Sequence, residues 1–343
     1  MLLMLLMGLM LVTATACGEK QVVLNVYNWG DYIDETILDD FEAEYGIKVN
    51  YEMFASNEDM YVKIKQGGTK YDVAFPSDYM IEKMIKEDML ESFDAASLEN
   101  YPYIGEKFKG LSYDPDNQYS VPYLWGTVGM VYNKDMVDEA DMKSWDVLFN
   151  EKYKGQILMY DSQRDALAVA FKTLGYSLNS TDPKELEAAK QLLINQKDLV
   201  LAYVTDNVKG IMLSEEAAIG VDYSGDAFMI LLEGGLDKFG YVVPEEGSNM
   251  WFDAMVIPKG AEHVEEAKLF IDYMSRPDVA LKNVEYVQYS TPNVEAVKNL
   301  SDELKSIPYA YPSDEELDNC EVFVDPGTFV EEYNKAWVEI KAN

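Results

Sequence analysis

Residues 22–53 read VVLNVYNWGDYIDETILDDFEAEYGIKVNYEM and carry two hydrophobic patterns in turn. The apolar run over residues 22–29 predicts a β-strand, whereas residues 34–45 repeat their apolar side chains at the spacing of one helical face. Gly46 is the residue type that commonly ends such a helix. Residues 47–53 then alternate apolar and polar side chains, which predicts a second strand. The stretch therefore indicates strand, helix and strand in succession.

The same order continues to residue 75 and resumes in the second half of the chain. A short helix over residues 58–66 ends at two glycines, and YDVAF at residues 71–75 predicts a third strand. This β-α-β-α-β order is typical of a parallel sheet flanked by helices. From about residue 125 onward we predict strands at 155–161, 199–204, 217–223 and 253–258, and helices at 165–175, 182–193 and 261–274.

The length of the chain indicates two lobes, because 343 residues are more than one hydrophobic core usually supports. No internal repeat, low-complexity tract or long linker divides the sequence. We expect an α/β fold in which each lobe is a mainly parallel sheet flanked by helices, and in which the chain passes between the lobes more than once. The predicted boundaries place residues 21–125 and 254–296 in lobe 1, and residues 126–253 and 297–343 in lobe 2.

The charge of the chain is strongly negative. There are 62 Asp and Glu against 28 Lys and Arg, which gives a formal net charge of −34. A surface of this kind repels nucleic acid and attracts cations, so we expect no nucleic-acid partner. An acidic surface also serves solubility, and only clustering of the acids distinguishes a site from a solvated exterior.

The N-terminal stretch MLLMLLMGLMLVTATACG, residues 1–18, is apolar and ends in small residues and a cysteine. It is short for a membrane span and fits the hydrophobic region of a signal peptide. We expect residues 1–17 to be a lipoprotein signal ending at a lipidated Cys17, and the protein to be extracytoplasmic, either anchored to the cell membrane or periplasmic. Cys320 then has no cysteine partner, so we expect no disulfide.

Acidic and aromatic residues recur together at the ends of the predicted strands. In open α/β sheets, ligands bind beyond the carboxyl ends of the strands. Acids that served only solubility would be scattered over helix faces, so this placement favours a binding site. The residues concerned are Trp29, Asp31, Tyr32, Ser77, Asp78, Tyr79, Asp161, Ser162, Asp165, Thr205, Asp206, Asp222, Tyr223, Asp226, Trp251, Asp253 and Tyr289.

Several of these residues also have a purely structural interpretation. Ser162 and Asp165 form S-x-x-D at a helix start, which is a capping pattern, although a first-turn aspartate also stays available to a ligand. Asp206 and Asp222 fit turn positions. Trp29 and Trp251 fit a core, but the acids beside them favour a pocket, and among single residues Asp31 and Asp253 have the clearest placement for binding.

Enzymatic chemistry finds little support in the sequence. His263 is the only histidine, and its position in the first turn of an amphipathic helix does not fit a nucleophile–histidine pair. DPDNQY at residues 114–119 lacks the glycine and terminal glutamate of a calcium loop. No cysteine–histidine cluster or glycine-rich phosphate loop occurs, so we expect no metal, no cofactor and no enzymatic activity. Two carboxylates could in principle cleave a glycosidic bond, although the sequence singles out no such pair. Binding of a sugar without cleavage also stays open as a function.

An ordered series of motifs resembles the spermidine/putrescine-binding proteins of bacterial ABC transporters. The resemblance runs from about residue 22 to the C-terminus and implies a two-lobed periplasmic-binding-protein fold of type II, with the ligand in the cleft between the lobes. The motifs are YNWGDYI, FPSDYMIEKM, VPYLWGTVGMVYN, WDVLFNEKYKGQI, YDSQRDALAVAFKTLGYSLNSTDPKELEAA, VDYSGDAF, WFDAMVIPKGA and YSTPN.

The resemblance also implies roles for the aromatic residues. Trp29 and Tyr32 correspond to aromatic walls of the cleft, as does Trp251. Tyr223 stands where the family often has tryptophan, and Tyr289 matches a cleft tyrosine. Flat rings of this kind suit both the methylene groups and the ammonium groups of an amine.

The same resemblance implies roles for acidic residues and for residues with hydroxyl groups. Asp31 corresponds to an acid that faces a terminal amine, and Asp253 to the acid that holds an inner or terminal ammonium. Asp165 stands where glutamate is usual. Ser162 stands where related spermidine binders carry aspartate, so the sequence leaves open which polyamine is preferred. Asp78 either compensates for the acid that is missing at position 162 or points away from the ligand. The implied polar contacts are Ser77, Tyr79 and Thr205.

We therefore expect a binding protein that captures putrescine or spermidine in a closing cleft and delivers it to a cognate ABC permease. A polyamine needs carboxylates for its ammonium groups and flat apolar walls for its methylenes. A solute-binding lipoprotein for a sugar or another organic cation is the alternative interpretation.

Overall fold

The computed structural model describes residues 21–205, 207–307 and 309–342. Within those ranges the chain forms a sheet of nine strands surrounded by helices. The strands are β1 (Val23–Trp29), β2 (Lys48–Phe54), β3 (Val73–Ala74), β4 (Ser120–Asn133), β5 (Ile157–Tyr160), β6 (Val200–Val204), β7 (Ile219–Tyr223), β8 (Phe239–Val242) and β9 (Met250–Val256).

Thirteen α-helices are present in the same described ranges, and most of them cover the faces of the sheet or connect its strands. They are α1 (Thr36–Tyr45), α2 (Asn57–Gln66), α3 (Asp78–Lys86), α4 (Gln163–Thr173), α5 (Pro183–Gln196), α6 (Val208–Leu213), α7 (Ser224–Gly234), α8 (Val264–Met274), α9 (Pro277–Val287), α10 (Val294–Asn299), α11 (Asp302–Lys305), α12 (Asp314–Leu317) and α13 (Val330–Ala342).

The first sheet region consists of β1, β2, β3, β9 and the first half of β4. Strand β1 lies parallel to both β2 and β3, which confirms the predicted β-α-β-α-β start. Gly46 ends α1 with a φ of 71°, a left-handed conformation that glycine adopts without strain. Strand β9 then runs antiparallel to β3 and to β4.

The second sheet region consists of β5, β6, β7, β8 and the second half of β4. Strand β5 lies parallel to β6 and β7, again as predicted, whereas β7 and β8 pair antiparallel with β4. Asp182 caps α5 by accepting a hydrogen bond from the Lys184 amide, and Pro183 is the first helical residue. This is the helix start that the sequence predicts.

Strand β4 belongs to both sheet regions. All of its 14 residues are buried; residues 120–127 pair with β9, and residues 128–133 pair with β7 and β8. The sequence analysis did not predict β4 or β8. An all-buried strand lacks the apolar–polar alternation that marks a half-exposed one. The predicted lobe boundaries at 125/126 and 253/254 fall within β4 and β9 and stay predictions.

Two further features bear on the class of protein. None of the helices in the described ranges has the length and apolar composition that a membrane crossing needs. Within those residues, no group of three or more His, Cys, Asp or Glu side chains is arranged to hold a metal ion. The predicted signal segment, residues 1–17 with Cys17, lies outside the described residues, as does Asp206.

Candidate functional site

Asp253 is a buried carboxylate near the middle of β9, where that strand passes between β4 and the start of α3. Its Oδ2 accepts a hydrogen bond of 2.8 Å from the Tyr32 hydroxyl. The backbone of Ser77 pairs with that of Asp253 in an isolated antiparallel bridge. The Oδ1 atom is buried without a hydrogen-bond partner of normal geometry among the described residues. Asp253 therefore has one carboxylate oxygen without a hydrogen bond of normal geometry, at a site shielded from bulk water and near the Ser77 hydroxyl.

Burial controls the ionisation of Asp253. It raises the pKa of this carboxyl to about 6, against the opposing effect of the Ser77 and Tyr32 hydroxyl groups, which lower it. A cation placed beside the carboxylate stabilises its ionised form and brings the pKa down again. The carboxylate is therefore mainly ionised at neutral pH and protonated below about pH 6, so its ability to hold a positively charged group depends on pH.

A β-bulge fixes the position of Tyr32. The pairing of β4 with β9 shifts register between Pro122 and Leu124, at Tyr123. The Tyr123 hydroxyl donates a 2.7 Å hydrogen bond to the Tyr32 carbonyl and accepts one of 2.8 Å from the Asn283 amide. Tyr123 thus anchors the loop after β1 to the interior of the first sheet region. The sequence offered no signal for this role.

Asp165 is a second buried carboxylate, in the first turn of α4. Its Oδ2 accepts a 2.9 Å hydrogen bond from the Tyr223 hydroxyl, and the Asn249 amide lies 3.5 Å from Oδ1. Ser162 is the N-cap, since its Oγ accepts from the Asp165 amide at 3.4 Å, which confirms the capping interpretation. Burial raises the pKa of Asp165, while its hydrogen-bond donors and Arg164 oppose that shift.

Four aromatic rings join the surroundings of these two carboxylates, and we call them the aromatic arc: Tyr32, Tyr289, Trp251 and Tyr223. Successive ring centroids lie 5.4, 5.4 and 6.0 Å apart, each pair edge to face. The tyrosines at the two ends of the arc donate their hydroxyl hydrogens to Asp253 and Asp165. The arc is therefore an apolar wall that has a buried carboxylate at each end.

Close packing holds the two middle rings of the arc. A Cβ on Gly225 would lie 2.4 Å from the ring of Tyr289, and one on Gly126 would lie 2.7 Å from that of Trp251. The Tyr289 hydroxyl also donates a 2.7 Å hydrogen bond to Asp226, near the start of α7. Only glycine at positions 225 and 126 leaves room for the rings as they stand.

Asp78 lies beneath the site instead of facing it. The residue is fully buried at the start of α3, where its Oδ2 accepts from the Phe252 amide at 3.0 Å and its Oδ1 from the Tyr79 amide at 2.6 Å. Burial raises the pKa of this carboxyl to about 8, although both amides act in the opposite direction. Asp78 thus ties the start of α3 to the strand residue that precedes Asp253.

Ser77 and Tyr79 are joined by a residue that the sequence analysis missed. The Asn57 amide nitrogen donates to the Ser77 hydroxyl at 3.0 Å and to the Tyr79 hydroxyl at 3.1 Å. Its oxygen accepts from the Ser77 backbone amide at 3.1 Å. An asparagine in the first turn of a helix is common as a solvated residue, so its type and position gave no indication of this contact. Asn249 was missed for a similar reason.

Three of the thirteen residues to which the resemblance assigns a site role do not join this arrangement. Trp29 is half-buried; its indole nitrogen donates to the Phe75 carbonyl at 2.9 Å, and its ring packs on Phe54 at 4.5 Å. Asp31 and Thr205 are exposed, and no hydrogen bond or ring contact joins either of them to another described residue. The structure therefore brings ten of the thirteen predicted site residues into one connected group, and it leaves Trp29, Asp31 and Thr205 outside that group.

The sequence profile of the bacterial extracellular solute-binding protein family matches residues 36–311, which is most of the chain. The chain belongs to this family. The family description is that of extracellular solute-binding proteins of bacteria.

Full-length relatives of this solute-binding protein are known. It is 36% identical to the spermidine/putrescine-binding periplasmic protein of Escherichia coli over 331 residues, which cover 96% of this chain and 94% of the relative. It is 31% identical to the putrescine-binding periplasmic protein SpuD of Pseudomonas aeruginosa, with 96% and 95% of the two chains covered.

The fold of this solute-binding protein matches that of a solved relative. The spermidine/putrescine ABC transporter substrate-binding protein PotD of Streptococcus pneumoniae superposes with a TM-score of 0.84 at 45% identity, over 94% of this chain and 99% of that one. The predicted fold class is therefore confirmed, as a two-lobed periplasmic-binding-protein fold with mixed sheets flanked by helices.

Proposed function

We propose that this solute-binding protein captures putrescine or spermidine and delivers it to an ABC permease. The observation that carries the proposal is the aromatic arc with a buried carboxylate at each end, Asp253 and Asp165. The relatives whose names include spermidine or putrescine support it, because the chain aligns with them over almost its full length. A linear diamine presents the matching features: a cation at each end and methylenes between.

Each part of the ligand finds a partner of suitable chemistry. A terminal ammonium donates to the unpaired Oδ1 of Asp253, and a charge-assisted hydrogen bond of this kind contributes about 1.5–3 kcal/mol. The second ammonium lies at Asp165. The methylenes pack on Trp251 and Tyr289, and an ammonium over such a ring adds about 0.5–2 kcal/mol.

The other predicted residues take supporting roles in the proposal. Asp78 positions Asp253 through the Phe252 amide and does not contact the ligand. Asp31 lies exposed at the edge, where it attracts an approaching cation. The proposed contacts of the closed cleft also include Trp29, Ser77, Tyr79, Ser162, Thr205 and Tyr223.

The proposal includes closure and membrane attachment. The proposed lobes have their boundaries at residues 21–125 plus 254–296 and 126–253 plus 297–343. Tyr289 falls in the first of them and Asp165 and Asp253 in the second, so a ligand that contacts all three residues favours closure. The closed form docks on the cognate permease. A signal peptide over residues 1–17 and a lipid on Cys17 would hold the protein at the outer face of the membrane, where it meets that permease.

Calorimetric titration with putrescine, spermidine and maltose tests the proposal. We expect saturable one-to-one binding of at least one amine and no heat of binding with maltose. Maltose binding without amine binding would favour the alternative, a sugar-binding lipoprotein, which the names of the relatives do not favour. The absence of binding by both amines would contradict the proposal, and turnover of a glycoside would revive an enzymatic role.

The affinity for putrescine should depend on pH. The folded carboxyl of Asp253 has a pKa of about 6, raised by burial, and only its ionised form holds an ammonium. Below this pKa the ligand must displace a proton, so we expect the association constant to fall up to tenfold per pH unit between about pH 6 and pH 4. Titrations across that range, repeated in buffers of different ionisation enthalpy, measure both the affinity and the protons released.

The Asp253→Asn variant is the control for this pH dependence. Without an ionisable group at position 253, the weaker binding that remains should show a flatter acid limb. Burial also raises the pKa of Asp165, so the slope of the variant reports the share of that carboxyl. Asp78, with a pKa of about 8, is already protonated in this range and does not contribute to the slope. An identical slope in both proteins would mean that Asp253 is not the group that exchanges its proton.

A further inference from the structure

Helix α3 contacts a segment near the C-terminus at a place away from the two buried carboxylates. Glu82 on α3 accepts a 2.8 Å hydrogen bond from the Asp325 backbone amide. Lys86 lies 2.7 Å from the Glu82 carboxylate and 3.7 Å from that of Asp325. The side chains of Glu82 and Asp325 are only 24% and 19% exposed, whereas that of Lys86 is 53% exposed, so the two carboxylates are partly shielded from solvent and the ammonium is not.

An apolar contact lies beside the polar one. The ring of Tyr79 packs against a small buried cluster of Phe323, Ala168 and Leu178. The Arg164 guanidinium lies 4.2 Å from the ring centroid of Phe323 and 5.8 Å from that of Tyr79. A guanidinium between two rings is an attractive arrangement. We call the polar contact of Glu82, Lys86 and Asp325 the clasp; Tyr79 and Phe323 pack beside it.

The two sides of the clasp belong to different sheet regions. Helix α3 follows β3 and is tied to β9 through Asp78, so it belongs to the first region. The C-terminal segment is fixed to the second region by Asn179, which follows α4. The Asn179 amide nitrogen donates to the Val322 carbonyl at 2.8 Å, and its oxygen accepts from the Val324 amide at 3.0 Å. Separation of the two regions would break the clasp.

We propose that the clasp sets the affinity of the protein by stabilising the closed form independently of the ligand's ammonium groups. The inference rests on the proposed function, because affinity is its main measurable consequence. Glu82, Lys86 and Asp325 make their contacts with one another and not with Asp253, Asp165 or the aromatic arc. A contact of this kind adds the same free energy to the closed complex of every ligand. It therefore changes affinity without changing selectivity.

The Glu82→Ala variant tests the clasp, because it removes the acceptor of the Asp325 amide and the partner of Lys86. We expect it to bind putrescine and spermidine about five- to tenfold more weakly, the loss of an ordinary hydrogen bond, because the exposure of Lys86 weakens the charged part of the contact. The ratio of the two affinities should stay at the wild-type value, and stopped-flow mixing should show faster dissociation. Glu82→Gln retains an acceptor and should recover most of the affinity.

The matched control is Glu87→Ala, one turn further along and directly after α3. Glu87 pairs with Lys65 at 2.8 Å and accepts from Tyr61 at 2.7 Å, both within the first sheet region. Its loss should leave the affinities unchanged. Equal affinities of the Glu82→Ala and Glu87→Ala proteins would overturn the clasp, as would a changed ratio between the two amines.

A second measurement separates this inference from the proposed function. If the wild-type protein bound neither amine, the proposed function would fail, and the clasp would be judged by small-angle X-ray scattering of the free protein. We expect Glu82→Ala to raise the radius of gyration above that of Glu87→Ala, because loss of the clasp favours the open form. The same radius of gyration in the two variants would then count against the clasp.

Discussion

The Asp253→Asn protein should bind putrescine about 100-fold more weakly than wild type, a loss of about 2.7 kcal/mol. The size of the effect follows from burial. Asp253 is only 5% exposed, so the ammonium beside it loses its water and depends on the carboxylate for compensation. Removal of one partner from a buried charge pair typically costs 2–5 kcal/mol. Isothermal titration calorimetry at pH 7.5 measures the loss directly.

A matched substitution on the exterior makes this result interpretable. Asp39→Asn removes one negative charge from an exposed position on α1 and should leave the affinity unchanged. Asparagine at 253 can still accept a hydrogen bond from Tyr32, so we expect the fold and its melting temperature to be retained. An affinity within threefold of wild type would refute the role that we assign to Asp253.

The Asp165→Asn protein should lose about 30-fold in putrescine affinity, or about 2 kcal/mol. The expected loss is smaller because Asp165 already has hydrogen-bond donors in Tyr223 and Asn249. The aromatic arc separates the two acids, so the effects of Asp253→Asn and Asp165→Asn should add in the double variant. Titration with 1-aminobutane, which has one ammonium, provides the second readout. The affinity for this monoamine should fall strongly in only one of the two variants.

Asp161 offers the matched control for Asp165. It lies four residues earlier, is exposed, and pairs with Lys341 at 2.8 Å. Asp161→Asn should leave putrescine binding unaltered. If both aspartates proved equally dispensable, the ligand would be held at one end only, and the proposed two-ended site would be wrong.

Local patterns were sufficient to predict the parallel parts of the fold. Residues 22–75 and 155–223 repeat strand and helix spacings that the structure confirms. The passage of β4 from one sheet region to the other was not predictable in the same way. It depends on which strands meet in space, and a sequence that is buried at every residue, as in β4, has no alternating pattern that identifies a strand.

The sequence predicted only part of the site, because position along the chain does not determine which way a side chain points. Position after a strand identified Asp165 and the Tyr32 and Tyr223 rings of the arc, because such positions converge at one edge of a sheet. Trp251 and Asp253 were expected at the start of a strand, and the structure instead places both of them inside β9. Position after a strand also pointed to Asp31 and Asp78, which the structure places in exposed and fully buried positions. The orientation of a side chain at a strand end depends on its tertiary neighbours, here the Phe252 amide in the case of Asp78.

The paired strands β4 and β9 have a mechanical consequence. Two hydrogen-bonded strands bend across the face of their sheet more easily than they slide past each other, because sliding breaks every hydrogen bond between them. Strand β4 leaves β9 after Thr127 and continues beside β7 and β8. A relative motion of the two sheet regions would therefore tilt one region about this point of β4, while the register of the paired strands stays fixed.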